Sequence, residues 1–373
     1  MSVIANITEW LLNISRICVL EIGSSILRFA DGELRQSVAT IKEYKSCRNP
    51  VTNFNAANDS INYDNLSDSL KSLAGMRYGI ERYAAIIIPD HLFHFGSVSL
   101  PVAAGKAGIL PIIQRDIQTN APLPFNAYSI RHESGKTRNG KLNIQYCALP
   151  LNTQSEIERA CNRARILPVS IQPSFACLHK LLHQHQNISE HAYVFLHIGN
   201  QNTSMGIYDQ NGLRAVFVIN FGVQTLISAI VQNTDSDEAS AVHQLFNEPL
   251  LLDDPADSKA QREIPAFALI EGLIADFLQQ VYGQLLLFNS ENPEETGYSS
   301  IIISGGGALI KNFDRLVAYN LGISSVKLSD ELEHVRLATA MPEAESLETI
   351  APLLGNLSLQ PVNRNRFDRV MAA

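Results

Sequence analysis

Two segments of the chain, 17–41 and 192–222, follow one plan, and this duplication restricts the fold more than any other feature. In each segment an apolar strand pattern ends in Ile-Gly, at Gly23 and at Gly199, and a polar turn and two further strand patterns follow. Short apolar runs separated by turn residues are typical of small antiparallel sheets. We therefore expect an α/β protein whose two lobes are built on related sheets.

The dipeptides Asp31-Gly32 and Asn211-Gly212 lie between the second and third strand patterns of these segments. Such dipeptides favour the left-handed backbone that two-residue hairpin turns require. We predict that each of them closes a β-hairpin.

The remaining patterns divide the chain into subdomains. The segment 99–170 has the order strand–helix–strand–strand–helix, which predicts a small inserted α+β unit. The predicted divisions are a leader at 1–16, a first lobe at 17–98 completed by 171–190 and 340–361, the inserted subdomain at 99–170, a second lobe at 191–238 and 298–339 with a helical part at 239–297, and a tail at 362–373.

Composition excludes several classes of function. A net charge of −8 is the opposite of the basic surface that nucleic-acid binding requires, so we expect no nucleic-acid partner. No apolar run is long enough to span a bilayer. The five cysteines include no Cys-x-x-Cys pair, so neither a zinc site nor a disulfide framework is predicted, and the cytoplasm is the expected compartment. No residue is assigned as a catalytic group or a metal ligand.

Glycines close three apolar strand patterns, at Gly23, at Gly199 and at 305–307. Backbone N–H groups in such turns can bind anions where no Cβ blocks the approach. Ligands of open α/β folds lie beyond the carboxyl ends of strands. The pattern indicates a nucleotide cleft between the two lobes. The alternative is that all three turns serve packing alone.

The three loops, "LEIGSS", "LHIGNQNTS" and "ISGGGALI", resemble the phosphate and adenosine loops of the actin-like ATPase superfamily. The segments "IIQRDIQTNAPLPFNAYSIRH", "YCALPLNTQSEIERACNRARILPVSIQPSFACLHKLL" and "IAPLLGNLSLQP" are more specifically similar to the PilM family of type IV pilus assembly, which is related to MshI and FtsA. The resemblance covers roughly 17–361. It implies an actin-like (RNase H-like) two-lobed fold with duplicated sheet-and-helix subdomains and an inserted α+β subdomain. The nucleotide-binding residues it implies are Gly23, Ser24, Ser25, Gly199, Asn200, Gln201, Asn202, Thr203, Gly222, Gly305, Gly306, Gly307 and Leu309.

This chain departs from the family at residues that matter for hydrolysis. Glu21 and His197 stand where the family usually has the Asp residues that hold Mg²⁺ and position water, and Ser240 and His243 stand where it has ribose-contacting Glu and Lys. Mg²⁺ prefers oxygen ligands, so an imidazole is a poor substitute. The resemblance implies ATP or ADP with Mg²⁺ as the cofactor, whereas the departures favour slow hydrolysis or none and leave open a cleft without nucleotide. An active ATPase or kinase is the alternative function.

The family also implies partners. Its members hold the cytoplasmic N-terminal segment of PilN, a single-pass membrane protein, which places them in the cytoplasm at the inner membrane. The resemblance further implies other pilus platform or motor proteins and self-assembly. For this chain it implies a scaffold of a type IV or MSHA-type pilus platform, with the partner's peptide in a groove beside the inserted subdomain. The residues we expect in that groove are Ile112, Ile113, Ile117, Pro122, Pro124 and Phe125.

Overall fold

The computed structural model describes residues 17–35, 37–51, 63–74, 82–138, 140–185, 192–209, 212–250, 265–292, 297–333, 335–337 and 345–357. The predicted leader and tail lie outside these residues. The strands are β1 (Cys18–Ile22), β2 (Ile26–Arg35), β3 (Val38–Arg48), β4 (Arg82–Ile88), β5 (His94–Pro101), β6 (Tyr128–Arg138), β7 (Lys141–Pro150), β8 (Ile166–Pro173), β9 (Ala192–Ile198), β10 (Thr203–Asp209), β11 (Gly212–Ile219), β12 (Tyr298–Ser304), β13 (Ser325–Lys327) and β14 (Arg336–Leu337). The α-helices are α1 (Tyr63–Ala74), α2 (Ile109–Asn120), α3 (Leu151–Arg163), α4 (Ser174–His185), α5 (Val223–Asn233), α6 (Glu238–Asn247), α7 (Pro265–Glu291), α8 (Phe313–Leu321), α9 (Leu328–Glu331) and α10 (Leu347–Leu357).

The first lobe is a six-stranded sheet with the strand order β14-β3-β2-β1-β4-β8. Its central strand β1 is buried along its whole length, as expected of a strand covered on both faces. β1 is antiparallel to β2 and parallel to β4.

The second lobe is a five-stranded sheet with the order β11-β10-β9-β12-β13. Here β9 takes the place of β1, because it is antiparallel to β10 and parallel to β12. The duplicated sheets predicted from the sequence are therefore present.

One hairpin prediction is wrong and the other is confirmed. β2 continues through Asp31 and Gly32, where its register against β3 shifts by a β-bulge, and the strand ends only at Arg35. A Cβ on Gly32 would lie 2.4 Å from the carbonyl oxygen of Thr40, so the glycine serves close contact between strands. In the second lobe Asp209 pairs with Gly212 of the next strand, as expected of a hairpin, while Asn211 lies outside the described residues.

The two lobes share a hydrophobic core. One cluster joins residues of the first sheet, such as Val19 and Ala30, to Phe195 and Ile302 of the second sheet. Helices α4 and α10 lie in the same cluster and pack against each other. This common core fixes the position of the strand ends that meet between the lobes.

A third sheet, with the order β5-β7-β6, forms a separate small unit with α2 on one face. Its described strands and helix run from 94 to 150, whereas the predicted inserted subdomain was 99–170. The difference arises because β8 pairs with β4 and α3 packs in the core of the first lobe. The division into subdomains stays a prediction.

In the part of the chain that the structure describes, no helix combines the length and the apolarity that a membrane span requires.

Candidate functional site

The loops that follow β1, β9 and β12 meet in a cleft between the lobes, with a cavity of about 410 Å³. The structure brings most of the predicted nucleotide-binding residues to its wall. Those that line it are Gly23, Ser24, Ser25, Gly199, Asn200, Gln201, Asn202, Gly305, Gly306 and Leu309.

Three predicted residues do not line the cavity. Thr203 is fully buried, and its hydroxyl group donates to the carbonyl oxygen of Phe221 at 2.8 Å. A Cβ on Gly222 would lie 2.4 Å from the carbonyl oxygen of Asn200, and one on Gly307 would lie 2.4 Å from Cγ2 of Ile198. These positions serve packing behind the loops.

The first glycine of each loop has its amide paired inside the protein. The N–H of Gly23 donates to the carbonyl oxygen of Ile26 at 3.0 Å, and that of Gly199 to Asn202 at 2.9 Å. The N–H of Gly305 donates to the carbonyl oxygen of Glu348 at 3.1 Å. For these three amides the packing alternative describes the geometry better than anion binding does.

Gly306 differs from Gly305 and Gly307 because a Cβ at its position would have free space. A Cβ built on it would meet only Cγ2 of Val223, at 3.6 Å. The apolar residues Val223, Ile227, Phe246 and Leu309 also line the cleft. A planar group could therefore lie between the backbone at Gly306 and an apolar wall.

Helix α6 contributes one residue to the cleft wall, at a position other than the two compared with the family's ribose contacts. Ser240 and His243 are exposed on α6 and do not line the cavity, whereas Phe246 of the same helix does. The N–H of Ser240 instead donates to the side chain of Asp237, the N-cap of α6, at 2.8 Å. Their correspondence to the family's ribose-contacting residues stays a prediction.

Glu21 is held by an arginine that sequence reasoning missed. Nη1 of Arg28 lies 3.2 Å from Oε2 of Glu21, and Nε of Arg28 lies 3.2 Å from Oε2 of Glu345. All three side chains are nearly buried and line the cleft. Burial raises the pKa of Glu21 above its usual range, and the adjacent guanidinium opposes that rise.

His197 contributes a neutral ring. Its Nδ1 lies 3.2 Å from Oγ of Ser304, at the end of β12. Desolvation and the positive charge of Arg28 lower the pKa of His197 to about 4. The imidazole is therefore uncharged at neutral pH.

Asp90 is a second residue that sequence reasoning missed. It follows β4 directly after Pro89, at the carboxyl end of a buried strand, and this position was the available signal. Its Oδ1 accepts the N–H of Phe175 at 2.9 Å, and its Oδ2 accepts the hydroxyl group of Ser204. Burial raises the pKa of Asp90 to about 6 despite these hydrogen bonds.

A second cavity, of about 580 Å³, lies between the small sheet, the first lobe and strand β11 of the second lobe. We call it the sheet-edge groove, because β6 and β8, the outer strands of their sheets, both line it. The residues that line its apolar part include Phe93, Phe95, Leu149, Val169, Leu213 and Val216.

None of the six residues predicted for a partner groove lines the sheet-edge groove. Ile113 and Ile117 are fully buried in the core between α2 and the small sheet, with Ile112 and Phe125 packed against them. Pro122 and Pro124 are exposed beyond the end of α2. The isoleucines expected in the groove belong to the face that this amphipathic helix buries.

Comparison with solved structures shows the same architecture elsewhere. The chain is similar to one from the PilM–PilN type IV pilus biogenesis complex, with 17% identity, 93% of this chain and 99% of that chain covered, and a TM-score of 0.72. It is also similar to the ethanolamine utilization protein EutJ from Carboxydothermus hydrogenoformans, with 11% identity, coverage of 92% and 89%, and a TM-score of 0.50. No family model and no curated protein sequence matches the chain significantly.

The chain has an actin-like fold. This confirms the predicted fold class, and it confirms the resemblance to PilM at the level of the fold.

The actin-like fold implies Mg²⁺ with the nucleotide, and the residues of this cleft do not fit that ion. Mg²⁺ requires oxygen ligands in a near-octahedral arrangement. The carboxylates of Glu21 and Glu345 are paired with Arg28, and that of Asp90 accepts donors from Ser204 and Phe175. At the second position where the family usually has a metal-holding Asp, this chain has the imidazole of His197.

Proposed function

We propose that the chain is a scaffold protein of a type IV pilus or MSHA-type assembly platform, cytoplasmic and bound to the inner membrane through its partners. In this role it holds an extended cytoplasmic peptide of a PilN-like single-pass membrane protein in the sheet-edge groove. The observation that carries the proposal is the groove itself, since two outer strands face it from two different sheets.

Outer strands are natural sites for an added peptide. β8 pairs with β4 on one side, and β6 pairs with β7 on one side, so each has a second edge without a strand among the described residues. Main-chain hydrogen bonds to such an edge give affinity, and pockets for alternate side chains give specificity.

The groove is chemically suited to a peptide of mixed character. Its floor is apolar, with Phe93, Phe95 and Val216, and its lining also carries Arg131 and Glu158 as charges of both signs. Side chains of an extended peptide alternate between two faces, so one face could contact the apolar floor while the other meets polar groups.

The comparison supports the same partner. The chain in the PilM–PilN complex shares the fold over nearly its whole length. This likeness and the position of the groove beside the small sheet together favour a PilN-like peptide over an unrelated ligand. Further pilus platform or motor proteins and self-assembly belong to the same proposal by analogy with that family.

Binding of a synthetic peptide from the partner's cytoplasmic segment tests the proposal. We expect Val169→Glu, which places a charge in the groove, to weaken binding by about tenfold or more. Val102→Glu is the matched control, because Val102 is 53% exposed outside the groove, and its affinity should stay close to wild type. A wild-type protein that does not bind the peptide, or a Val169→Glu variant that binds it normally, contradicts the proposal.

We further propose that this scaffold hydrolyses ATP slowly or not at all. Charge neutralisation and positioning of the attacking water carry phosphoryl transfer. In this cleft Arg28 already neutralises Glu21, and His197 is a neutral ring. Release of phosphate from ATP with Mg²⁺ at neutral pH measures this, and brisk Mg²⁺-dependent turnover favours the alternative of an active ATPase.

A further inference from the structure

We propose that the cleft binds a nucleoside without a divalent cation, and that phosphate groups weaken the binding instead of strengthening it. This inference rests on the proposed function in one respect: the cleft does not hydrolyse ATP rapidly. It concerns which end of a nucleotide this particular cavity recognises.

The charges of the lining oppose a polyphosphate. Of the described residues that line the cleft, Glu21, Asp90 and Glu345 carry carboxylates and Arg28 carries the guanidinium group. Arg28 is shared between two of those carboxylates, so a negative balance remains. In a partly enclosed cavity, like charges repel more strongly than they do in water.

A divalent cation would compete with contacts that already exist. At Glu21 and Glu345 it would compete with Arg28, and at Asp90 with the hydroxyl group of Ser204 and the N–H of Phe175. Removing one partner of a buried charge leaves the other uncompensated, which is costly. Cation binding that offsets the phosphate charge is therefore disfavoured.

Several backbone amides around the cleft are also engaged. Besides the amides of Gly23, Gly199 and Gly305, the first amides of α5 face loop carbonyls: the N–H of Val223 donates to Gly199 at 3.0 Å, and that of Gln224 to Asn200 at 2.8 Å. Helix N-termini attract anions through such amides. In this protein the carbonyl oxygens of Gly199 and Asn200 already accept these two N–H groups.

What the cleft offers is suited to an uncharged ligand. Gly306 leaves the backbone open beside Val223, Ile227 and Phe246, which gives a flat apolar slot for a base. The cavity is also lined by residues with neutral polar side chains, namely Ser24, Ser25, Asn200, Gln201 and Asn202. Hydroxyl groups of a sugar can donate to and accept from such groups.

Calorimetric titration of the full chain with adenosine, AMP, ADP and ATP, each with EDTA and with excess Mg²⁺, tests the proposal. We expect adenosine to bind more tightly than ATP, and Mg²⁺ to change the affinity for ATP by less than about threefold. ATP binding as tight as that of adenosine or tighter, a gain of about tenfold with Mg²⁺, or no binding of adenosine at about millimolar concentration each overturns it.

A matched pair of glycine variants locates the ligand. Gly306→Leu fills the slot without meeting the backbone, so adenosine binding should fall by about tenfold or more. Gly272→Leu is the control, because a Cβ on Gly272 in α7 meets nothing within 4 Å and the residue is outside the cleft. Normal adenosine binding by Gly306→Leu overturns the assignment.

Peptide affinity measured on the same samples reports binding in the sheet-edge groove separately, so failure of the scaffold proposal remains distinguishable from failure of the nucleoside proposal.

Discussion

The carboxylate of Asp90 in the first lobe accepts a hydrogen bond from the hydroxyl group of Ser204 in the second lobe. Both residues are nearly buried, and the same carboxylate also accepts the N–H of Phe175 at the start of α4. Ser174, next to Phe175, lines the cleft, whereas Phe175 itself lines the sheet-edge groove. Asp90 thus joins the two lobes at the wall that separates the two cavities.

Ser204→Ala removes one donor from this buried carboxylate. An acceptor left without its partner costs about 1–3 kcal/mol in the free energy of unfolding, and more when it is charged. Ser97→Ala is the control, because Ser97 is exposed on β5 and its loss should cost less than about 0.5 kcal/mol. Urea denaturation of the three proteins measures both values. Equal stability of the two variants contradicts the role assigned to the Asp90–Ser204 contact.

The pKa of Asp90 predicts a specific dependence of stability on pH. Burial raises that pKa from 3.8 to about 6, so the folded protein holds this proton more tightly than the unfolded chain does. The contribution is fully present below pH 3.8 and is lost as the pH rises through about 6. Asp90→Asn cannot ionise. Between pH 4 and 7 the wild type should therefore lose about 2–3 kcal/mol relative to this variant.

Denaturation curves of wild type and Asp90→Asn at several pH values check this. Other titrating groups are common to both proteins and cancel in the difference between them. A difference that is constant from pH 4 to 7, or that changes in the opposite direction, contradicts the raised pKa.

The sequence predicted the parts of this structure that local patterns encode. Strand patterns ending in Ile-Gly at Gly23 and Gly199 gave the duplicated sheets, because the periodicity of buried residues is visible over a few neighbouring positions. The Asp31-Gly32 dipeptide shows the limit of such signals. A glycine can serve a hairpin turn through its backbone freedom or a close strand contact through its missing Cβ, and only the partner strand decides between them.

The contacts that define the cleft were beyond sequence reasoning for another reason. Arg28 meets Glu345 from a position 317 residues away, and Ser204 meets Asp90 across 114 residues. No local pattern encodes such pairs. The spacing of Ile113 and Ile117 in α2 is visible in the sequence, but it shows only that one face of the helix is apolar. Whether that face meets the protein's own core or a partner depends on what the fold places beside it.

Two glycines in helices give a second prediction of stability with opposite signs. A Cβ on Gly355 in α10 would lie 2.0 Å from the backbone carbonyl oxygen of Cys177 in α4. Gly355→Ala should therefore force the helices apart and cost about 1–3 kcal/mol or more. Gly283→Ala in α7 meets nothing within 4 Å and should stabilise the protein by up to about 1 kcal/mol, because alanine is the better helix former. Thermal and urea denaturation measure both, and a neutral Gly355→Ala contradicts the close crossing of α4 and α10.

Removal of Arg28 tests whether the cleft carboxylates depend on it. Arg28→Met leaves Glu21 and Glu345 buried without their counter-ion, and breaking a buried pair in this way costs about 3–5 kcal/mol. Adding Glu21→Gln and Glu345→Gln to Arg28→Met removes the uncompensated charges and should restore most of the lost stability, since replacing a buried ion pair by neutral groups often changes stability little.

Arg159→Ala is the control, because Arg159 pairs with Glu156 at the surface and such pairs contribute about 0–1 kcal/mol. If Arg28→Met is no less stable than Arg159→Ala, or if the triple variant is as unstable as Arg28→Met, then Arg28 does not hold these carboxylates, and the argument against a metal site in the cleft fails with it.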